Sequence, residues 1–423
     1  MANLGSRLLD IAGFGAVGQA MRHRNFRIYL IGFVPNVIGI WVVRVAVGWL
    51  TWELTESGTW LGVIGAADAL PVLLVGPLGG ALADRLDRRL IAISSQTVLM
   101  VISALLAILT LSGMIDIWLL FALTLARGIT FAFWQPVRLA MMPNLVPRSE
   151  MSVAIALNSS LFNAAQFIGP AVTAPLLLLG NAGYAFAVNI VAAGVMVWAL
   201  IQIDVPLSEG PSRRGGSVFG EAWAGIRYAA VHTGIGPILL LLVILGVCVR
   251  PLHDLLPAFA DRVFGHGSDG YSGMISAIGA GAMIAATWMV RRGNASGITM
   301  IALRAGLVAG TAALVFSFLD WYPLGLACLA IYGFAMTSGG IAVQQLVQMS
   351  VPDAMRGRVL SLFGMFFRGG PALGALIMGW TADAVGLRWP VAVGALCGLT
   401  AYGIAWLRRH RLRSALEADA PAG

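Results

Sequence analysis

Apolar runs of about twenty residues recur along the whole chain, and arginine gathers in the short turns between them. That pattern leaves few options, because a backbone crossing hydrocarbon must satisfy its own polar groups and so is either helical or a closed barrel. Runs this long, without strand-like alternation, are helical, since about 20 apolar residues span a bilayer at 1.5 Å per residue. The most charged turn follows the second run. Gly79-Gly80-Ala81-Leu82-Ala83-Asp84-Arg85-Leu86-Asp87-Arg88-Arg89 packs five charges into six residues, in a connection too short to be a domain. Composition agrees: 59% of residues are hydrophobic, 11% are charged and the mean hydropathy is +0.85, whereas soluble domains carry about 25% charged residues. The chain is an all-α, polytopic membrane protein.

Twelve spans are expected, at residues 27–52, 59–82, 90–112, 116–140, 151–179, 183–203, 235–261, 268–290, 298–319, 322–346, 356–384 and 387–407. The stretch 204–232, with Pro206, Gly210, Pro211, Arg213 and Arg214, reads as a linker. It separates a six-helix bundle over 1–203 from a second over 233–423. All 27 cationic residues are arginines. Arg22, Arg24, Arg27, Arg85, Arg88, Arg89, Arg148, Arg213, Arg214, Arg227, Arg291, Arg292, Arg356, Arg358 and the cluster from Arg408 to Arg413 fall on one side, with only Arg262 and Arg388 on the other. By the positive-inside rule both termini are cytoplasmic. The same rule accounts for a pI near 10.1 without a nucleic-acid partner. No cleavable leader is expected, because the first long run is itself a span, and residues 8–20 suit a short amphipathic helix on the membrane surface.

The two halves repeat one another. Leu145-Val146-Pro147 before the fifth span corresponds to Ser350-Val351-Pro352 before the eleventh, and Gly169-Pro170-Ala171-Val172 to Gly370-Pro371-Ala372-Leu373. Parallel repeats of this kind pack about an axis along the membrane normal, with a substrate cavity between them at mid-depth.

The charged turn resembles the signature loop of the major facilitator superfamily (MFS), in its Gly-x-x-x-Asp-Arg-x-x-Arg-Arg form, with Asp87 where a glycine usually stands. Asn25-Phe26-Arg27, then Arg44-Val45-Ala46-Val47-Gly48-Trp49-Leu50 and Glu53-Leu54-Thr55, are similar to the transmembrane-secretion-effector and enterobactin-exporter-like branch, as is Leu157-Asn158 to Gly169-Pro170. The resemblance implies a twelve-helix MFS fold of two pseudo-symmetric bundles. It also implies a gating loop at Gly80, Asp84, Arg85, Arg88 and Arg89, in which Asp84 accepts from a neighbouring helix N-terminus when the protein faces outward. Members of that branch are mostly bacterial inner-membrane exporters of siderophores, macrolides and drug-like molecules. Some relatives move lysophospholipids.

Charges inside spans cost at least about 2.5–3.5 kcal/mol each, so each needs a reason. Arg44 and Asp68 fall at matching depth on consecutive antiparallel spans. They suit an ion pair that is either a structural clamp or a proton site in which Arg44 tunes Asp68. The seventh span holds Arg250, Pro251, His253, Asp254 and Pro257; the two prolines and Gly246 disfavour a regular helix there, and a broken helix is tolerated where it lines a cavity. His253 reads either as hydrogen-bonded structure or, with Asp254, as a proton acceptor. Arg127 reaches mid-depth in the fourth span and resembles the arginine of an antiporter-type motif, although the glycine spacing that normally follows is absent. Arg368 reaches mid-depth in the eleventh, and Arg304 is shallow enough to snorkel. Polar, uncharged cavity candidates are Asn36, Gln135, Asn158, Asn163, Gln166 and Gln344, with Asn158 and Gln166 on one helix face.

No metal or cofactor set is expected. The five histidines (His23, His232, His253, His266, His410) are scattered, Cys248, Cys328 and Cys397 lie singly, and no Walker-type loop is present. The expected protein is no enzyme. It is a monomeric secondary transporter of the bacterial cytoplasmic membrane, exchanging protons for an amphipathic small molecule in contact with lipid. Lysophospholipid flipping is the alternative.

Overall fold

The computed structural model describes residues 18, 21–83, 87–203, 226–292 and 296–417. Asp84 and Arg85 of the charged turn lie outside the described residues, as do most of 8–20 and of the linker, while Gly80 and Asn163 are described by backbone alone. The regular secondary structure among the described residues is all helical. In chain order the helices are α1 (Arg24–Thr55), α2 (Gly58–Ala83), α3 (Arg88–Leu111), α4 (Ile117–Met141), α5 (Met151–Leu177), α6 (Gly183–Gln202), α7 (Ile235–Cys248), α8 (Leu252–Ala258), α9 (Gly267–Arg292), α10 (Ile298–Ser317), α11 (Tyr322–Ser350), α12 (Asp353–Val385), α13 (Arg388–Leu407) and α14 (Arg409–Leu416). Eleven stretches among the described residues are long and apolar enough to cross a membrane, with 235–263 (α7, α8 and the π-turn after them) counted as one. Helix α5, 27 residues long, stands where the fifth span is expected. Prolines inside α1, α4, α5 and α12 are tolerated because neighbouring helices and side chains re-satisfy the freed carbonyls.

By internal contacts the chain divides into two compact units, residues 1–47 with 74–213, and residues 48–73 with 214–423. The repeat-based halves cut at 204–232 and these contact units differ in where they place 48–73.

In the first unit, α3 packs on α4 and α6, and α5 on α6. An aromatic column on α1, with Phe26 over Tyr29 and Tyr29 over Phe33 at 6.4 and 5.3 Å, sits in a core shared with Trp134, Val137 and Met141 of α4 and Met196 and Leu200 of α6. Asp87, which stands where the superfamily's signature loop usually has glycine, caps α3. Its Oδ1 accepts from the Arg89 and Leu90 amides at 2.8 and 3.4 Å. Arg89 then reaches the adjacent end of α6, donating from Nε to the Leu200 carbonyl at 3.1 Å and from Nη2 to that of Ile201. Those are carbonyls of the last turn of α6, which have no partner within their own helix.

In the second unit, α11 packs on α9 and α10, α13 on α10, and α7 on α12 and α13. Lipid is as apolar as leucine, so close approach rather than hydrophobic burial drives such contacts. The α9–α11 seam shows it. A Cβ at Gly281 would stand 1.9 Å from the Ala330 carbonyl oxygen, and one at Gly333 would stand 2.1 Å from that of Ile278.

The segment 48–73 joins this unit through a polar clamp and a glycine seam. Asp383 near the end of α12 accepts from Ser57 Oγ at 2.6 Å and from the Gly58 and Thr59 amides at 2.7 and 2.9 Å, capping α2 from across the unit. Trp52 Nε1 donates to Asp261 at 3.0 Å. Arg262 lies 4.7 Å over the Trp52 ring and pairs with Glu56 at 3.1 Å. Glu56 holds a left-handed φ of 45°, unusual for a residue with a side chain. Below the clamp, a Cβ at Gly62 would come within 2.3 Å of the Ala375 carbonyl oxygen, so α2 and α12 touch backbone to backbone.

Candidate functional site

The seventh span is broken where its charges lie. Helix α7 stops at Cys248, and the amides of Val249 and Arg250 both turn back to the Leu245 carbonyl at 3.0 Å. His253 and Asp254 are drawn in by short bonds to the Arg250 and Pro251 carbonyls at 3.1 and 2.9 Å. Pro251 lacks an amide and Pro257 follows inside α8, so the ladder cannot run through. A π-turn over Phe259–Val263 then closes the span. The sequence expectation of a broken helix at Gly246–Pro257 is met.

The break holds Arg250 in place. Its Nη1 donates to the Phe367 carbonyl at 2.9 Å, and the guanidinium lies 4.0 Å over the Phe367 ring. Tyr332 donates to the Val249 carbonyl at 3.3 Å, securing one of the carbonyls that the break releases. A cavity of only ≈ 10 Å3, lined by Gly246, Arg250, Met336, Phe367 and Tyr402 among others, adjoins the guanidinium. That volume holds about one water and no substrate.

Asp254 faces the 48–73 segment. A Cβ at Gly65 would meet its carboxyl carbon at 3.7 Å, and Asp68 lies on the same helix three residues on, one turn away. His253 Nδ1 is 4.0 Å from Asp254 Oδ1. The structure therefore brings Arg250, His253, Asp254 and the helical turn of Asp68 into one unit.

Arg44 falls in the first unit, nearly one helical turn after Trp41 and with its guanidinium 5.5 Å over that ring; its pairing with Asp68 stays a proposal. Arg127 is buried in α4, at 8% exposure. Arg368 is exposed on α12, and Arg304 lies 5.8 Å over Trp406.

Of the uncharged candidates, Asn36 is buried and donates to Gln96 Oε1 at 3.0 Å, joining α1 to α3. Gln135 and Gln166 are half-buried and Gln344 is exposed. Asn158 sits at the centre of a cluster that sequence reasoning missed. Its Oδ1 accepts from Tyr29 Oη at 3.0 Å and from Arg138 Nη1 at 3.1 Å. Arg138 lies three residues inside the end of α4. A place so near a helix end looks like one more interfacial arginine, and only its 9% exposure marks it out. Arg88 and Arg89 of the charged turn are described, and Arg89 serves α6 as above. Among the described residues no group of three or more His, Cys, Asp or Glu could hold a metal ion.

These features can be set against known proteins. The sequence pattern of the transmembrane secretion effector family matches residues 18–422. The staphyloferrin A transporter of Staphylococcus aureus is 23% identical over 90% of this chain and 95% of its own length. The enterobactin exporter EntS of Escherichia coli O1:K1 / APEC is 26% identical over 84% and 85%, and macrolide efflux protein A of Streptococcus pyogenes 21% over 86% and 91%. Among solved structures, a nucleoside transporter NupG mutant superposes with a TM-score of 0.72 at 13% identity, covering 91% of this chain and 99% of that one. A POT family transporter gives 0.73 at 10%, covering 92% and 96%. Those likenesses establish the fold. The chain belongs to the transmembrane secretion effector family of MFS transporters.

Proposed function

We propose that the protein is a monomeric, proton-coupled exporter of amphipathic small molecules, working by alternating access in the bacterial cytoplasmic membrane with both termini inside. The export reading is supported by relatives named for staphyloferrin A, enterobactin and macrolide export or transport; none of these three is named for lysophospholipids. The observation that carries the coupling is the broken seventh span, which sets Asp254 against Gly65, one turn from Asp68. A carboxylate at a helix–helix contact in hydrocarbon is costly when charged and cheap when neutral. Taking up a proton therefore changes the stability of that contact, which is what a coupled transporter needs from its proton site. Gating by Asp84 with Arg85, Arg88 and Arg89 belongs to this reading, and so do tuning of Asp68 by Arg44 and the coupling and substrate charges of Arg127 and Arg368. The test is efflux-type transport in proteoliposomes under an imposed pH gradient. The gradient drives the wild type, and at least one of Asp68→Asn and Asp254→Asn transports without responding to it. Full response in both variants rejects these residues as the coupling groups.

A further inference from the structure

We propose that Arg138, held by Tyr29 and Asn158 in the first unit, is a receiving site for the carboxylate or phosphate group of an amphipathic, anionic small molecule. As a step in transport this rests on the function proposed above; as a binding site it does not.

A guanidinium stays charged at any pH the protein meets, and a buried charge is ordinarily paired with an opposite one. Arg138 is nine-tenths buried, yet among the described residues its partners are neutral. Nη1 donates to Asn158 Oδ1 at 3.1 Å and to Tyr29 Oη at 3.5 Å, and the group lies 5.2 Å over the Phe33 ring. Asn158 and Tyr29 are themselves 6% and 1% exposed and bonded to each other. These contacts hold the guanidinium in place without cancelling its charge. They also engage Nη1 alone, which leaves the Nε–Nη2 edge, the pair of donors whose spacing fits the two oxygens of a carboxylate or phosphate.

An open, polar cleft of ≈ 410 Å3, lined by His23, Arg24, Asn25 and Asn144 among others, lies at the same end of the unit. Asn25 is one helical turn before Tyr29, about 6 Å along α1, and Asn144 follows Arg138 just past the end of α4. Glu150, at this end of the unit, has its Oε2 3.1 Å from His23 Nε2. The rest of the cleft's lining, Leu145, Val146 and Pro147, is apolar and suits an apolar body on the same molecule. Cation and apolar lining together define an amphipathic anion.

The test is calorimetric binding to the purified full chain in phosphatidylcholine nanodiscs, with 4-phenylbutyrate as probe and uncharged 4-phenylbutyramide as its control. Wild type is expected to prefer the carboxylate by about tenfold or more. Arg138→Gln removes the preference and Arg138→Lys keeps part of it. Asn158→Asp is the decisive variant. It places a carboxylate of the chain's own beside the guanidinium, so it abolishes the preference while thermal stability holds or rises, which a merely structural cluster would not show. Absence of a preference in wild type, or its survival in both Arg138→Gln and Asn158→Asp, overturns the site. Displacement of the probe when phosphatidylglycerol replaces phosphatidylcholine, lost in Arg138→Gln, overturns the small-molecule assignment in favour of a lipid headgroup. No gradient is applied. A failed preference therefore leaves gradient-driven transport standing, and a failed gradient response leaves the binding site standing.

Discussion

At the scale of single residues, the same chemical type does different work depending on what surrounds it. Asp87 sits where the superfamily's signature loop usually has glycine, and the structure gives it a task that glycine cannot perform, accepting from two amides at the start of α3. Replacing such a cap by alanine costs about 1 kcal/mol. Asp87→Ala is therefore expected to lower the thermal midpoint in detergent measurably, and Asp87→Ser to restore most of it. The arginines divide the same way. Arg89, read from sequence as part of a gating loop, closes the end of α6 through two carbonyls. Arg250 is fixed by one carbonyl and one ring, and Arg138 by neutral groups alone among the described residues. Hydropathy could place each of these arginines along a span. The side it faces, and therefore its task, depends on neighbours more than a hundred residues away.

At the scale of helices, small residues set how closely elements approach. Gly281 faces a carbonyl where a Cβ would stand 1.9 Å away, whereas a Cβ at Gly403 would meet nothing within 4 Å. Gly281→Val is expected to destabilise the second unit by at least the roughly 1–3 kcal/mol of an overpacked contact. Gly403→Ala, in the interior of α13, is expected to stabilise by about 0.5–1 kcal/mol through backbone entropy alone. Thermal denaturation of the two variants side by side checks both signs. The C-terminal helix α14 is docked by chemistry that responds to pH. Burial alone would raise the Glu417 carboxyl, but bonds from Thr299 and the Gly297 amide, with the Arg413 guanidinium, outweigh it and hold the group below its ordinary value. A depressed carboxyl stabilises the docked form above the ordinary carboxylate range. That contribution fades as pH falls through the folded-state value. Hydrogen exchange across 409–417 should therefore speed up in acid in the wild type, while Glu417→Gln, already loosened at neutral pH, changes little.

At the scale of the molecule, residues 48–73 fall in the second compact unit, although the repeat in the sequence assigns them to the first half. Asp383, Asp261 and Arg262 hold them. Hydrogen bonds to a charged acceptor contribute about 1.5–3 kcal/mol each, so Asp383→Ala is expected to raise amide exchange at Gly58 and Thr59 by about tenfold or more while leaving α10 unchanged. Equal protection in variant and wild type would show that the glycine seam alone holds the segment. Hydropathy and motif alone identify a polytopic helical membrane protein, the course of its spans among the described residues, and the family it joins. Those properties follow from the length and period of apolar runs and from local turn chemistry, which a linear string carries. Only the tertiary structure decided that the seventh span breaks with Asp254 turned to Gly65, that Asp383 caps a helix begun more than three hundred residues earlier, and that Arg138 is buried among neutral partners. Each of these is a matter of which side chains meet across the fold, and in hydrocarbon the free energy of a charge is set by those meetings.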